Sequence, residues 1–182
     1  TVLEDIYLPY KPKRKTRATQ AIEKGLEPLA KLLFDQAPGD IQVAAAAYIK
    51  EDVKDEKEAL QGARDIIAEW IAENEQARNS IRKLFQETAV LTAKIINSKK
   101  GDTEAQKYRD YFEFTARLEQ CPSHRILAIR RGEKEEFLLM DINVDKSAGS
   151  ELLERIFVHA STPAAAEVKL AATDSFDRLL KP

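Results

Sequence analysis

In the stretch "VKDEKEALQGARDIIAEWIAEN", residues Leu60, Ala63, Ile66, Ile67, Trp70 and Ile71 recur at 3.6-residue spacing and so share one helical face. A long helix with such a stripe has to bury it, so the chain must supply partners that pack against it. Gly62 sits inside this helix at a cost of about 1 kcal/mol relative to Ala, and a close approach by another backbone is the expected compensation. Six glycines and seven prolines in 182 residues leave few turns elsewhere. The fold class these patterns predict is mainly α: a multi-helical bundle with a helix-turn-helix-like part and one short β segment.

The remaining elements follow from the same logic. "ATQAIEKGLEPLAKLLFDQ" reads as a short helix closed near Gly25, then a second carrying Leu26, Leu29, Leu32 and Leu33. Asp40 is placed to cap "IQVAAAAYI" through its carboxylate. "EQARNSIRKLFQETAVLTAKI" aligns Ile81, Leu84, Phe85, Thr88, Leu91 and Ile95, and is expected to form a central antiparallel pair with the Trp70 helix. "SKKGD" breaks the pattern before an aromatic helix, "TEAQKYRDYFEFTARLEQ". In "CPSHRILAIRRG", Pro122 suits a first turn and Gly132 a stop, giving a short helix, although its Ile-Leu-Ala-Ile core equally reads as a strand. "EEFLLMDINV" is the best strand, with Leu138, Met140 and Ile142 on one side and Phe137, Leu139 and Asp141 on the other. Its partner strand is expected either within this chain or on a domain outside it. "SELLERIFVHA" and "TPAAAEVKLAATDSFDRLLK" read as two closing helices, the second with Pro163 in its first turn.

Charge narrows the function classes. A composition of 29 basic and 31 acidic residues gives a net charge of −2, so any pull on nucleic acid must be local. No apolar run reaches the roughly 18 residues of a spanning helix, which argues for a soluble, cytoplasmic protein that meets no membrane. Cys121 is the only cysteine, in keeping with a reducing compartment. Thr1 in place of Met and an ending at "DRLLKP" in mid-pattern suggest a fragment of a longer protein.

Two basic groups stand out. The opening arm "YKPKRKTR" holds Lys11, Lys13, Arg14, Lys15 and Arg17 with no acid among them, and Arg125, Arg130 and Arg131 cluster on one short segment with Lys134 beyond. Both are candidates for phosphate contact. The arm also reads as a proline-stiffened entry strand whose charges pair with acidic helix faces. Catalytic signals are weak. Cys121 and His124 form half of a zinc pair without the other half, and the same two residues lack an orienting group for nucleophilic work. No phosphate-cradling glycine loop is present, and the acid-rich runs "EDVKDEKE" and "GEKEE" read as solvated faces. The expectation is therefore no catalytic residue, no metal and no cofactor.

Several stretches in order, "LEDIYLPYKPKRKTRAT", "EKGLEPLA", "ALQGARDIIAE", "KYRDYFEF" and above all "PSHRILAIRRGEKE", resemble the bacterial transcription accessory protein Tex family, over nearly the whole chain. The resemblance is to that family's N-terminal helical region, covering residues 1–182, with a sub-boundary expected near residues 98–102. It implies a large cytoplasmic protein whose RNase H-like, helix-hairpin-helix and C-terminal OB-fold RNA-binding domains are absent from this chain. The implied partner is nucleic acid, RNA or DNA, engaged mainly through those absent domains, with the transcription machinery as a further partner. The resemblance supplies no catalytic role for His124, Arg125, Arg130 or Arg131.

The leading expectation is a non-catalytic helical module of a nucleic-acid-binding transcription accessory protein. One alternative is an autonomous helix-turn-helix DNA binder built from "IQVAAAAYI", the turn at "KEDV" and the next helix, although "KDEKEAL" puts acids where base edges would be read. Another is part of a nuclease, for which no convergent acidic cluster stands out. If all five arm cations meet phosphates, log affinity falls against log salt with a slope of roughly −4.5, a several-hundredfold loss between about 50 and 200 mM. Titrating nucleic acid at several salt concentrations should give that slope, and Lys13→Ala, Arg14→Ala and Lys15→Ala together should flatten it by about 3.

Overall fold

The computed structural model describes residues 15–180 and divides the chain into two compact units. The first comprises residues up to Glu73 together with those from Arg155 onward, and the second is Asn74–Glu154. As expected, the fold is mainly α with a small sheet. The break at residues 98–102 is a turn inside the second unit.

In the first unit, α1 (Arg17–Glu23) begins with a capping box between Thr16 and Thr19. It ends with Gly25 in the left-handed region at φ 78°, where the Leu26 amide donates to the Ala21 carbonyl and that of Gly25 to Ile22. α2 (Glu27–Phe34) and α3 (Ile41–Ala46) follow, the latter capped by the Asp40 carboxylate, which accepts from the Gln42 and Val43 amides. α4 (Glu56–Glu73) is the spine of this unit, burying Leu60, Ala63, Ile66, Ile67 and Ile71. Every residue of the predicted stripe is thus buried except Trp70, which is half-buried with Phe34 edge-on to it at 5.8 Å.

Helices α1, α2, α3 and the later α8 (Pro163–Ser175) all pack on α4. Gly62 does permit a close approach, but by a side chain: an added Cβ would lie 2.3 Å from Leu26 Cδ1. α8 is tied to α4 by Arg64 on Glu167 at 2.5 Å and by the Ser175 hydroxyl on the Ala68 carbonyl at 2.8 Å. Gln36, buried and at φ 60°, clamps the return of the chain. Its amide donates to the Phe157 carbonyl and accepts from the His159 amide, so both of its polar ends are satisfied.

The second unit departs most from expectation. α5 (Glu75–Thr88), capped by Asn74, stops seven residues before the predicted helical stripe ends. The sequence then runs as strand β1 (Val90–Ile95), so Leu91 and Ile95 belong to a pleated face and not a helical one. The boundary between the two units falls at Asn74, between this segment and the Trp70 helix. The expected aromatic helix is instead a 3-10 segment, Glu104–Tyr111, followed by β2 (Glu113–Arg117). Two strands were hidden in helical spacing because apolar patterns of five or six residues are too short to separate the two periods.

α6 (Ser123–Lys134) resolves the ambiguous "CPSHRILAIRRG" as helix, and β3 (Leu138–Asn143) is the expected strand. β3 finds its partner within the chain: β1 lies between β2 and β3, antiparallel to both, with Ala93 opposite Phe114 on one side and Met140 on the other. Leu91, Ala93, Leu138 and Ile129 form the centre of this core. α7 (Lys146–Phe157) carries the chain back to the first unit.

Gly132 is not the predicted helix stop. It is a buried interior position, and α6 runs on to Lys134, closing with Glu136 in the left-handed region at φ 65°. The Phe137 amide donates to Gly132 and that of Glu136 to Glu133, the same closure that ends α1 but without glycine at the turn. A Cβ on Gly132 would lie 2.5 Å from Leu138 Cδ1, 2.9 Å from Leu138 Cγ and 3.2 Å from Tyr108 Cδ1. Gly132→Ala gains about 1 kcal/mol of helix propensity, yet overpacking costs about 1–3 kcal/mol, so a lower urea-unfolding midpoint is expected for this variant.

Candidate nucleic-acid interface

α6 shows how a balanced chain presents a basic surface. Its inner side is set by Ile126, Ile129 and Gly132 against the sheet and the 3-10 segment. By helical spacing, Leu127, Arg130, Arg131 and Lys134 then share the opposite face. All four are exposed, and Leu127 is 64% accessible, with His124 also exposed one turn earlier. Among the described residues, Arg130, Arg131 and Lys134 enter no ion pair. Arg131 and Lys134 also lie in the last turn, where the helix dipole favours cations. Arg125 lies over the Phe114 ring at 5.9 Å, so its partner is aromatic and not acidic.

A second basic group, Lys99 and Lys107, gathers beside the end of α6 and was not singled out from sequence. The Lys107 ammonium stands over the Tyr108 ring at 5.3 Å and the Phe137 ring at 6.0 Å, and Lys99 over Phe137 at 5.8 Å. Glu135 is the acid in this group: it accepts from the Tyr108 hydroxyl at 2.5 Å and meets Lys107 at 2.9 Å. The Tyr108 hydroxyl and then Lys107 hold the Glu135 carboxyl below its ordinary range. Burial, then the bond to Glu135, pushes the Tyr108 phenol up, and Glu135 raises Lys107. The signal in the sequence was the interleaving of lysine with aromatics in "QKYRDYF", but only the fold brings Phe137 under both lysines.

The arm is only partly described. Lys11, Lys13 and Arg14 lie outside the described residues. Lys15 is exposed, 3.7 Å from Glu23, and Arg17 is exposed with no ion pair among the described residues. These two belong to the first unit and the α6 cations to the second.

The helix-turn-helix elements exist as α3, a turn with Lys50 and Val53 bridged, and α4. The first turn of α4 carries Glu56 and Glu58, and four helices pack around its length. That arrangement covers the helix a DNA groove would have to admit. The sulfur of Cys121 is buried in the core of the second unit while His124 is exposed. Among the described residues, no three His, Cys, Asp or Glu side chains are placed to hold a metal ion, and no helix is long and apolar enough to cross a membrane.

A family profile described as "Tex central region-like" matches residues 37–176. The chain belongs to this family of Tex-like proteins. The profile names a central region, where the motif resemblance pointed to the N-terminal helical region. The chain is 42% identical over 138 residues to the transcriptional accessory protein Tex of Neisseria gonorrhoeae, covering 76% of this chain and 18% of that protein. It is 45% identical over 147 residues to protein YhgF of Escherichia coli, covering 80% and 19%. It is also 30% identical over 196 residues to human S1 RNA-binding domain-containing protein 1, covering 99% and 19%. The chain thus spans about a fifth of the length of these curated relatives.

Because the folded state lowers the Glu135 pKa, its contribution to stability is present above the unfolded carboxyl value, about 4.3, and is lost as pH falls through the folded one. Glu135→Gln lacks that contribution. Urea-unfolding midpoints should therefore separate wild type from Glu135→Gln at neutral pH, and the gap should close in acid. A gap that stays constant would mean that the charge of Glu135 does not hold Tyr108 and Lys107.

Proposed function

We propose that this chain is a non-catalytic module of a nucleic-acid-binding transcription accessory protein, contributing salt-sensitive phosphate contacts through the outer face of α6. The observation that carries this reading is the set Arg130, Arg131 and Lys134, exposed on one helical face around Leu127 and free of ion pairs among the described residues. Unpaired guanidinium and ammonium groups on a rigid helix are suited to phosphate oxygens, with little sequence information read. Lys99, over Phe137 and without an ion pair among the described residues, extends the same positive surface.

Family membership supports the role in transcription, and the relative named for an S1 RNA-binding domain supports nucleic acid as the partner. On this reading the main affinity belongs to parts of the longer relatives that this chain does not cover, the transcription machinery is a further partner, and the setting is cytoplasmic. The separation of buried Cys121 from exposed His124 supports a non-enzymatic role, since a nucleophile and its base must converge. The acidic first turn of α4 and the helices packed around it weigh against an autonomous helix-turn-helix reader.

The test is fluorescence anisotropy with single-stranded RNA and with duplex DNA across a salt series. Wild type should bind with a negative log–log salt slope. The triple variant Arg130→Ala, Arg131→Ala, Lys134→Ala should reduce that slope by up to about 3, roughly one for each cation withdrawn from a phosphate, with its circular dichroism unchanged. Binding by the triple variant as tight as wild type would remove α6 from the interface.

A further inference from the structure

We infer that the second unit carries a single-nucleotide subsite, for one unstacked base of a single-stranded nucleic acid, in the cleft between the end of β1 and the start of β2. This rests on the nucleic-acid reading above and adds to it a preference for single strands at a defined place. The cleft has a volume of about 370 Å³ and is lined by Lys94, Ile95, Asn97, Lys100, Phe112 and Glu113. That is room for one base, at the small end of ordinary ligand sites.

What distinguishes the cleft is how many of its functional groups are left free by the fold. Three other aromatics of "KYRDYFEF" are used internally: Tyr108 packs with Phe137 at 6.0 Å, and Tyr111 with Phe114 edge-on at 5.5 Å. Phe112 is half-buried and packs on the core of the second unit, but makes no ring contact with another aromatic among the described residues, and it lines the cleft. The backbone at this point is fixed, because the Ile95 amide donates to the Phe112 carbonyl at 3.0 Å. A half-buried phenyl ring on a pinned backbone is a stacking platform whose ordering cost is already met by folding.

The polar groups around it, Lys94, Asn97, Lys100 and Glu113, are exposed. The Asn97 side chain makes no hydrogen bond, and Lys94 and Lys100 make no ion pair, among the described residues. Lys94 and Glu113 are direct partners across β1 and β2 yet form no salt bridge. Each free group has a matching task. Phe112 stacks on a base, and the Asn97 amide and the Glu113 carboxylate meet donors and acceptors on its edge. Lys94 and Lys100 neutralise the phosphates on either side. A base within a duplex is stacked and paired, so it has no face to offer Phe112. Lys99, next in the chain to Lys100, is held over Phe137, so the two lysines serve different parts of the surface.

The experiment uses the full 182-residue chain with a short mixed-sequence single-stranded RNA and a duplex DNA of the same length. Phe112→Leu keeps an apolar side chain against the core, and Asn97→Ala and Lys100→Gln change exposed positions, so at least two of the three variants keep the fold. Phe112→Leu is expected to weaken single-strand binding by roughly 5- to 150-fold, the range for loss of one stacked base, while duplex binding stays within about twofold. Asn97→Ala and Lys100→Gln should weaken the single strand in the same direction. If the cleft variants leave single-strand affinity unchanged, or lower single-strand and duplex affinity equally, while the α6 triple variant still weakens binding, the subsite is wrong and the α6 reading stands. If wild type binds neither nucleic acid at low salt, both fail.

Discussion

β1 is the element on which the second unit depends. A strand inside a core must satisfy its backbone on both sides, and β1 does so with β2 on one flank and β3 on the other. Its alternation sends Leu91 and Ala93 into the core and leaves Thr92 and Lys94 on the far side. Had residues 90–95 continued α5, β2 and β3 would have no common neighbour. Lys94 would not stand opposite Glu113, and the 97–111 excursion would have no sheet edge to return to. The floor beneath α6 and the mouth of the Phe112 cleft are both built on this one pairing.

The disposition of charge explains how a chain of net charge −2 carries a positive surface. In the first unit, cations are often taken up by acids: Lys24 with Glu58, Lys31 with Glu27 and, most buried of all, Arg64 with Glu167. The exposed pairs contribute little to stability, while Arg64 and Glu167 link two packed helices. Around α6, Arg125 and Lys99 lean on aromatic rings, Lys107 is shared between rings and Glu135, and Arg130, Arg131 and Lys134 enter no ion pair among the described residues. Arg125 uses Phe114 and Lys99 uses Phe137, contacts that orient a cation without neutralising it. Composition sums these charges, and a partner meets them one face at a time.

Much of the first unit was legible in the sequence. The α4 stripe, the Asp40 cap, the Gly25 closure and Pro163 at the start of α8 each depend on residues close in sequence, so short-range rules suffice. The second unit was less so. Residues 90–95 and 113–117 became strands because each found the other at long range, and a five- or six-residue apolar pattern fits either period. Glu136 closes α6 without the glycine that would have announced it, so Gly132 drew the prediction instead. Of the candidate site, the arginines of α6 were visible as a cluster. Only the fold set Lys99 and Lys107 over Phe137, and Lys94, Lys100 and Phe112 around the cleft.

The sequence by itself determined a mainly helical chain of the Tex-like family with local caps, one long buried helix and a basic motif at residues 125–134. Those are properties of neighbouring residues and of ordered motifs, which a linear string carries. Tertiary structure decided which lysines and aromatics face one another. It paired the rings of Tyr108, Tyr111 and Phe114 with other aromatics, and set Phe112 on the core at the lining of a cleft beside two lysines that make no ion pair among the described residues. The reason is physical: hydrogen-bond and packing partners far apart in sequence are chosen only when strands pair and helices settle on them, and only then is it known which groups remain free.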